Sequence, residues 1–153
     1  MVTEQYKDAI YFSSLFAWHY PNVYKEISDI LVYHHIEHGT LLHTKDYWCR
    51  DYMPIQWGFK SYIQFRYEPD YLKDKPQYKT NIIPVLKAMS RDMDITQSPL
   101  IVDGGNVVVC EANSKWIGSC MRGRKPIVIM TEKVFRENSQ IDQSEVLAIL
   151  KEN

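Results

Sequence analysis

The chain has 153 residues with 18 basic and 19 acidic side chains. That is length for one domain with a buried core, and too little charge imbalance for a nucleic-acid or anionic-membrane surface. Cys49, Cys110 and Cys120 are odd in number and widely spaced, so no disulfide framework or C-x-x-C pair can be read, and reduced thiols in a cytoplasmic protein are expected. The longest apolar run, Ile127-Val128-Ile129-Met130, is far short of a membrane span, and the residues after Met1 lack the basic start of a signal peptide. Eleven Tyr, four Trp and five Phe lean toward strands.

In chain order, Ala9 to Phe16 is an apolar run that reads as a first strand, ending near Trp18. Tyr20-Pro21-Asn22 breaks it and opens a helix, on which Val23, Ile27, Ile30 and Leu31 recur at the spacing of one amphipathic face. Gly39 is the predicted stop of that helix. Thr40 to His43 is a second predicted strand, and it runs into Lys45–Pro54, where Asp46, Arg50 and Asp51 stand beside Tyr47 and Trp48. Charged groups are rarely buried unpaired, and few solvated loops are this aromatic, so the stretch is singled out as a candidate site.

Pro54–Trp57 and Ser61–Tyr67 alternate with period two around Gly58, the pattern of a hairpin. Glu68 to Tyr78, with two prolines and five charged side chains, reads as a surface loop of the kind that carries recognition or a lid. Thr80 or Asn81 can cap a helix through Val85, Leu86 and Met89, with Pro84 in its first turn. Leu100-Ile101-Val102 is a predicted strand that stops at Asp103-Gly104-Gly105-Asn106 and resumes at Val107–Cys110. Lys115–Gly118 and Pro126–Met130 are further predicted strands. Thr131 caps a short helix through Phe135, and Asp142-x-x-Glu145 resembles a capping box opening a helix that buries Val146, Leu147, Ile149 and Leu150. Two or more strands per helix, without a linker, make a single mixed α/β domain built from small repeated units.

Trp48-x-x-Asp51 is the strongest site candidate. A carboxylate accepts paired hydrogen bonds from a guanidinium, and an indole wall adds roughly 0.5–2 kcal/mol of cation–π attraction. On spacing alone, Asp51 paired with Arg50 or Lys45 beside a core Trp48 is the commoner arrangement. Asp103-Gly104-Gly105-Asn106 places an acid at a strand end, followed by glycines that permit positive φ or close approach; taken alone, a tight turn is the commoner meaning. His34 and His38 stand four apart near the predicted helix end, but the H-E-x-x-H order and a third ligand are missing, so no metal is expected. A carboxylate beside Cys49 would raise its thiol pKa, and Cys110 and Cys120 have no neighbouring His in sequence, so none of the cysteines reads as a nucleophile. Neither a phosphate-binding glycine motif nor G-x-S-x-G occurs.

In combination, Asp46-x-Trp48-x-Arg50-Asp51-x-x-Pro54, then Asp103-Gly104-Gly105-Asn106, then Ile127 to Asn138 resembles the bacterial peptidylarginine deiminase and agmatine deiminase family over roughly residues 9 to 150. The resemblance implies a five-bladed α/β propeller, the pentein fold, built from mixed ββαβ units, and hydrolysis of guanidino groups without a cofactor. It implies that Trp48 lines the pocket and that Asp51 grips the guanidinium nitrogens as the catalytic carboxylate of this chain. Asp103 matches a position that is usually Glu in agmatine deiminases. Asp46, Arg50, Gly104, Gly105 and Asn106 are then structural supports. The partner is a small guanidino compound or an arginine side chain.

The family also carries a His-x-Asp and a Gly-Gly-x-x-His-Cys, whose cysteine attacks the guanidinium carbon to give a covalent amidino-enzyme that water releases. Neither motif occurs here. The chain is expected to be the N-terminal portion of a deiminase-like domain, with the downstream catalytic portion absent and self-association or a complementary C-terminal segment completing it. A binding module without chemistry, or an inactive fragment, is the alternative.

Overall fold

The computed structural model describes residues 9–58, 60–89, 91–110 and 127–152. The strand expected at Lys115–Gly118, together with Cys120 and Pro126, lies outside them. The described chain is mixed α/β, with three small sheets of two, three and two strands.

Strand β1 (Ala9–Ser13) lies parallel to β2 (Glu37–Leu41), and the crossover between them is made by α1 (Ser14–His19) and α2 (Pro21–Tyr33). The run expected to be strand through Phe16 changes state at Ser13. The Ser13 hydroxyl accepts the Leu15 N–H at 3.2 Å, an N-cap that makes the second half helical. Helix α2 begins on Pro21, where the missing N–H costs nothing. It ends at Tyr33, six residues before Gly39: Ile36 N–H donates to Leu31 O and His35 N–H to Val32 O, the two bonds of a Schellman end. His35 takes the left-handed position at φ 56°, and Gly39 sits inside β2 opposite Tyr11. The buried stripe of α2 also differs from the expected one. Val23 and Ile30 are exposed, and Tyr24, Ile27, Ser28 and Leu31 face inward.

The next segment is one complete ββαβ unit. Strand β3 (Ile55–Gly58) runs antiparallel to β4 (Ser61–Arg66), the chain crosses over through α4 (Ile82–Met89), and β5 (Asp94–Ile101) returns parallel to β4. The hairpin is where its alternation places it. Residues 68–78 contain two single 3-10 turns, Asp70–Leu72 and Pro76–Tyr78. Asn81 rather than Thr80 caps α4, taking the Ile83 N–H at 3.0 Å, because the Thr80 hydroxyl is engaged by the Lys45 N–H at 2.9 Å.

Val107–Cys110 does not continue β5. A 3-10 turn at Gly104–Asn106 redirects the chain, and the run becomes β6, antiparallel to β7 (Ile127–Met130) in a separate sheet. Two helices follow, α5 (Lys133–Glu137) and α6 (Gln143–Glu152). Asp142 caps α6 through the N–H and hydroxyl of Ser144, at 2.8 and 2.6 Å. Val146 is fully buried while Leu147, expected beside it, is exposed.

The main core joins Ile55, Phe65, Leu100, Val102, Val107, Val134 and Val146. It thereby glues β3–β6 to α5 and α6, each buried side chain contributing roughly 1.5–3 kcal/mol of transfer free energy. A smaller cluster of Tyr52, Tyr67 and Leu72 lies under the candidate site. Among the described residues no helix is long and apolar enough to cross a membrane.

Candidate functional site

The singled-out stretch forms a one-turn helix, α3 (Cys49–Tyr52). Four residues cannot sustain a helix in water, so neighbouring groups must hold it. Asp46 Oδ1 accepts the N–H groups of Tyr47 and Trp48 at 2.5 and 3.4 Å, which turns the chain into the helix. Tyr52, fully buried, brings its hydroxyl within 3.0 Å of Asp46 O and 3.2 Å of Cys49 Sγ.

On its other side α3 docks on the Gly104–Asn106 turn. Arg50 donates through Nη2 to Val107 O at 2.9 Å, and Gly105 N–H donates to Asp51 Oδ1 at 3.0 Å. The glycines are required for close approach. A Cβ on Gly104 would overlap the Arg50 carbonyl oxygen, and one on Gly105 would overlap Asp51 Oδ1. The turn reading also holds, since Asn106 N–H donates to Asp103 O at 2.8 Å. Asn106 Oδ1 accepts the Thr131 N–H at 3.1 Å and so ties the turn to the segment before α5.

Asp103 is only 7% exposed. Its Oδ2 receives Lys133 Nζ at 2.5 Å, while its Oδ1 is buried and has no hydrogen-bond partner among the described residues. Lys133 also meets Glu137 at 3.2 Å and Asp70 at 3.8 Å, and its ammonium lies 5.2 Å from the centroid of the Tyr71 ring. The Asp70 N–H reaches back to Glu137 Oε1 at 3.4 Å. The loop of residues 68–78, α5 and the end of β5 therefore converge on the same acidic cluster.

The electrostatics follow from burial. Burial pushes the Asp51 carboxyl above its ordinary value, the Asp103 charge adds to this, and the Gly105 N–H works against it. Glu137 is raised by burial and by Asp103. For Lys133, burial works downward, but hydrogen bonds and charges from Asp103 and Glu137 outweigh it and push its pKa up to about 12. The Cys49 thiol is raised chiefly by burial, with Asp46 adding, so it stays protonated at neutral pH.

Trp48 occupies different ground. It is 68% exposed and lines a pocket of about 280 Å³ with Phe12, Phe16, Tyr47 and Arg50, a lining that does not include Asp51. The ring that meets the acidic cluster is that of Tyr71. His34 caps the end of α2 and His38 belongs to β2, so the two do not share a helix face.

Of the residues expected at the site, the fold joins Asp51, Asp103, Gly104 and Gly105, anchors Arg50, Asp46 and Asn106 around them, and sends Trp48 to a neighbouring pocket. Lys133, Glu137, Tyr71 and Asp70 were not anticipated. Their sequence signals were ordinary ones: a Lys–Glu pair at helical spacing and a charged surface loop. No protein-family model, no curated protein and no solved structure matches the chain.

Proposed function

We propose that the acidic cluster around Asp51 and Asp103 binds a guanidinium group, and that the chain supplies the substrate-gripping part of a deiminase-type guanidino hydrolase. One observation carries the reading. Two motifs about fifty residues apart, each implied by the resemblance to belong to the guanidinium site, meet through the Gly105 N–H to Asp51 bond and through the packing of Gly104 on Arg50. In this reading Asp51 is the acceptor facing the guanidinium and Asp103 the second. Arg50, Asp46 and the glycine pair hold α3 in place, and Tyr71 supplies the aromatic face expected of Trp48. The unit β3–β4–α4–β5, flanked by β1–α–β2 and β6–β7–α segments, supports a place in a five-bladed α/β propeller. In this reading the cysteine and His-x-Asp chemistry lies on a complementary segment, since neither motif occurs in this chain.

A second reading, a guanidinium-binding module without chemistry of its own, is favoured by Cys49, whose raised pKa makes it a poor nucleophile.

Calorimetry with agmatine, arginine and a peptidyl-arginine, each paired with an assay for released ammonia, separates the two. Binding with ammonia release assigns hydrolysis, and binding without it assigns the module. No heat with any of the three compounds removes the guanidinium reading altogether. Sedimentation adds a further check: self-association is the expected state, and a compact monomer that binds but does not turn over favours the module.

A further inference from the structure

Asp103 poses a physical problem. A carboxylate this buried is normally either fully hydrogen-bonded or protonated. Here one oxygen, Oδ2, is held by Lys133 Nζ at 2.5 Å, and the other, Oδ1, is buried with no hydrogen-bond partner among the described residues. The Asp103 side chain is 10% exposed and that of Glu137 5%, so this is no solvated surface pair. The charged and titratable groups around Asp103 come from three elements: Asp51 from α3, Asp70 and Tyr71 from the first 3-10 turn, and Lys133 and Glu137 from α5. Among the described residues of that set Lys133 is the one cation, set against the carboxylates of Asp51, Asp70 and Glu137 as well as that of Asp103.

We propose that Lys133 is the positioning residue of the site: it clamps Asp103 Oδ2 and leaves Oδ1 to accept an N–H of the bound guanidinium. Glu137 and the Tyr71 ring fix Lys133 in turn, giving the order Glu137, Lys133, Asp103, ligand. The division of labour is sterically economical. A guanidinium has five N–H donors in a plane, and Asp103 Oδ1 together with the Asp51 carboxylate can take two of them. Asp51 is held by a different route, its Oδ1 accepting the Gly105 N–H. The inference rests on the guanidinium reading of the site and gives that reading a residue for which the resemblance has no role.

The test is calorimetry with agmatine on the full chain, in the wild type, Lys133→Met, Lys133→Arg, Asp103→Asn and the double variant Lys133→Met/Asp103→Asn. Lys133→Met is expected to weaken binding roughly tenfold, and Lys133→Arg, which keeps the cation, should restore most of it. Because the lysine acts through Asp103, the double variant should bind no more weakly than Asp103→Asn alone. If Lys133→Met binds agmatine as tightly as wild type or more tightly, or if the two losses simply add in the double variant, Lys133 is a bystander or a competitor and the proposal is overturned. If Lys133→Met does not fold, the wild type decides: the Lys133 side-chain NMR resonances must shift when agmatine is added, and resonances that stay put at saturation overturn the clamp. If the wild type binds no agmatine, the guanidinium reading fails, while a hydrogen-bond contact between Lys133 Nζ and the Asp103 carboxylate, read by NMR in the free chain, still settles whether Lys133 holds that carboxylate.

Discussion

The two ends of the four-residue helix α3 have opposite characters. Its Asp51 end is pinned to a turn from a distant part of the chain by a hydrogen bond, a backbone overlap only glycine avoids, and a cluster of carboxylates around one lysine. Its Trp48 end is open, ringed by Tyr47, Phe12 and Phe16, and mostly solvated. In sequence the two lie three residues apart and suggest a single pocket. In the fold one is packed so closely that a Cβ on either glycine would overlap α3, and the other is a partly open pocket with a mostly exposed ring. Adjacency in sequence is thus a poor guide to a shared site, and close packing against a distant motif is a better one.

The sharpest way to break this contrast is Gly104→Ala. The new methyl would enter the Arg50 carbonyl oxygen, which is backbone and cannot swing aside. A loss of roughly 2–3 kcal/mol of stability is expected from urea unfolding. Gly105→Ala meets only the Asp51 side chain, so it should cost less stability and more guanidinium affinity. A Gly104→Ala protein as stable as wild type would mean that α3 is not seated on the turn.

Next in size is Asp51→Asn, which keeps an oxygen for the Gly105 N–H and removes the charge. Affinity for agmatine should fall roughly tenfold to a hundredfold by calorimetry. The same group sets a pH dependence. Burial raises the Asp51 carboxyl above the ordinary carboxylate range in the folded chain, so cation binding should weaken on acidification before an ordinary aspartate would be protonated. Stability moves the other way. The folded state disfavours the ionised form, so the cost is present above the folded pKa and is relieved as pH falls through it. Asp51→Asn should therefore be slightly more stable than wild type at neutral pH, and this advantage should vanish in acid. Thermal melts at a series of pH values read both limbs.

The smallest effect is expected from Trp48→Ala. The ring is mostly exposed and contacts no member of the acidic cluster in any described interaction, so stability should change by about 0.5 kcal/mol or less, with little change in agmatine binding. A loss comparable to that of Asp51→Asn would join the two ends of α3 into one pocket after all.

How much of this was legible before the fold was known varies with the range of the interaction. The hairpin and the start of α2 at Pro21 follow from local propensity and came out in place, and Asn81 is one of the two caps expected for α4. The pairing of the Arg50-Asp51 stretch with the Gly104-Gly105 turn was legible only as two suspicious motifs, since nothing local to either says that they touch. The errors have physical causes. Ser13 caps a helix inside an apolar run, and a histidine occupies the left-handed position where glycine was sought. Lys133 and Glu137 were invisible because a lysine four residues before a glutamate is what any solvated helix face offers. Burial alone turns that pair into a charge clamp.

One further side chain, just past the end of α5, has a consequence for the whole arrangement. Asn138 is completely buried, its Oδ1 accepts the Ile101 N–H at 2.9 Å, and its Nδ2 donates to the Ile101 and Val134 carbonyls at 2.8 Å each. Its amide thus does for Ile101 what a residue of an adjoining strand would do, a single rung of ladder supplied by a side chain. That rung fixes where β5 stops, and so sets the register from which Asp103, two residues later, is delivered to the cluster. Exchanging the amide for a carboxylate would replace one NH₂ with an oxygen facing two carbonyl oxygens. The repulsion would fall on the Ile101 and Val134 carbonyls, and through the displaced end of β5 it would reach Asp103 two residues on.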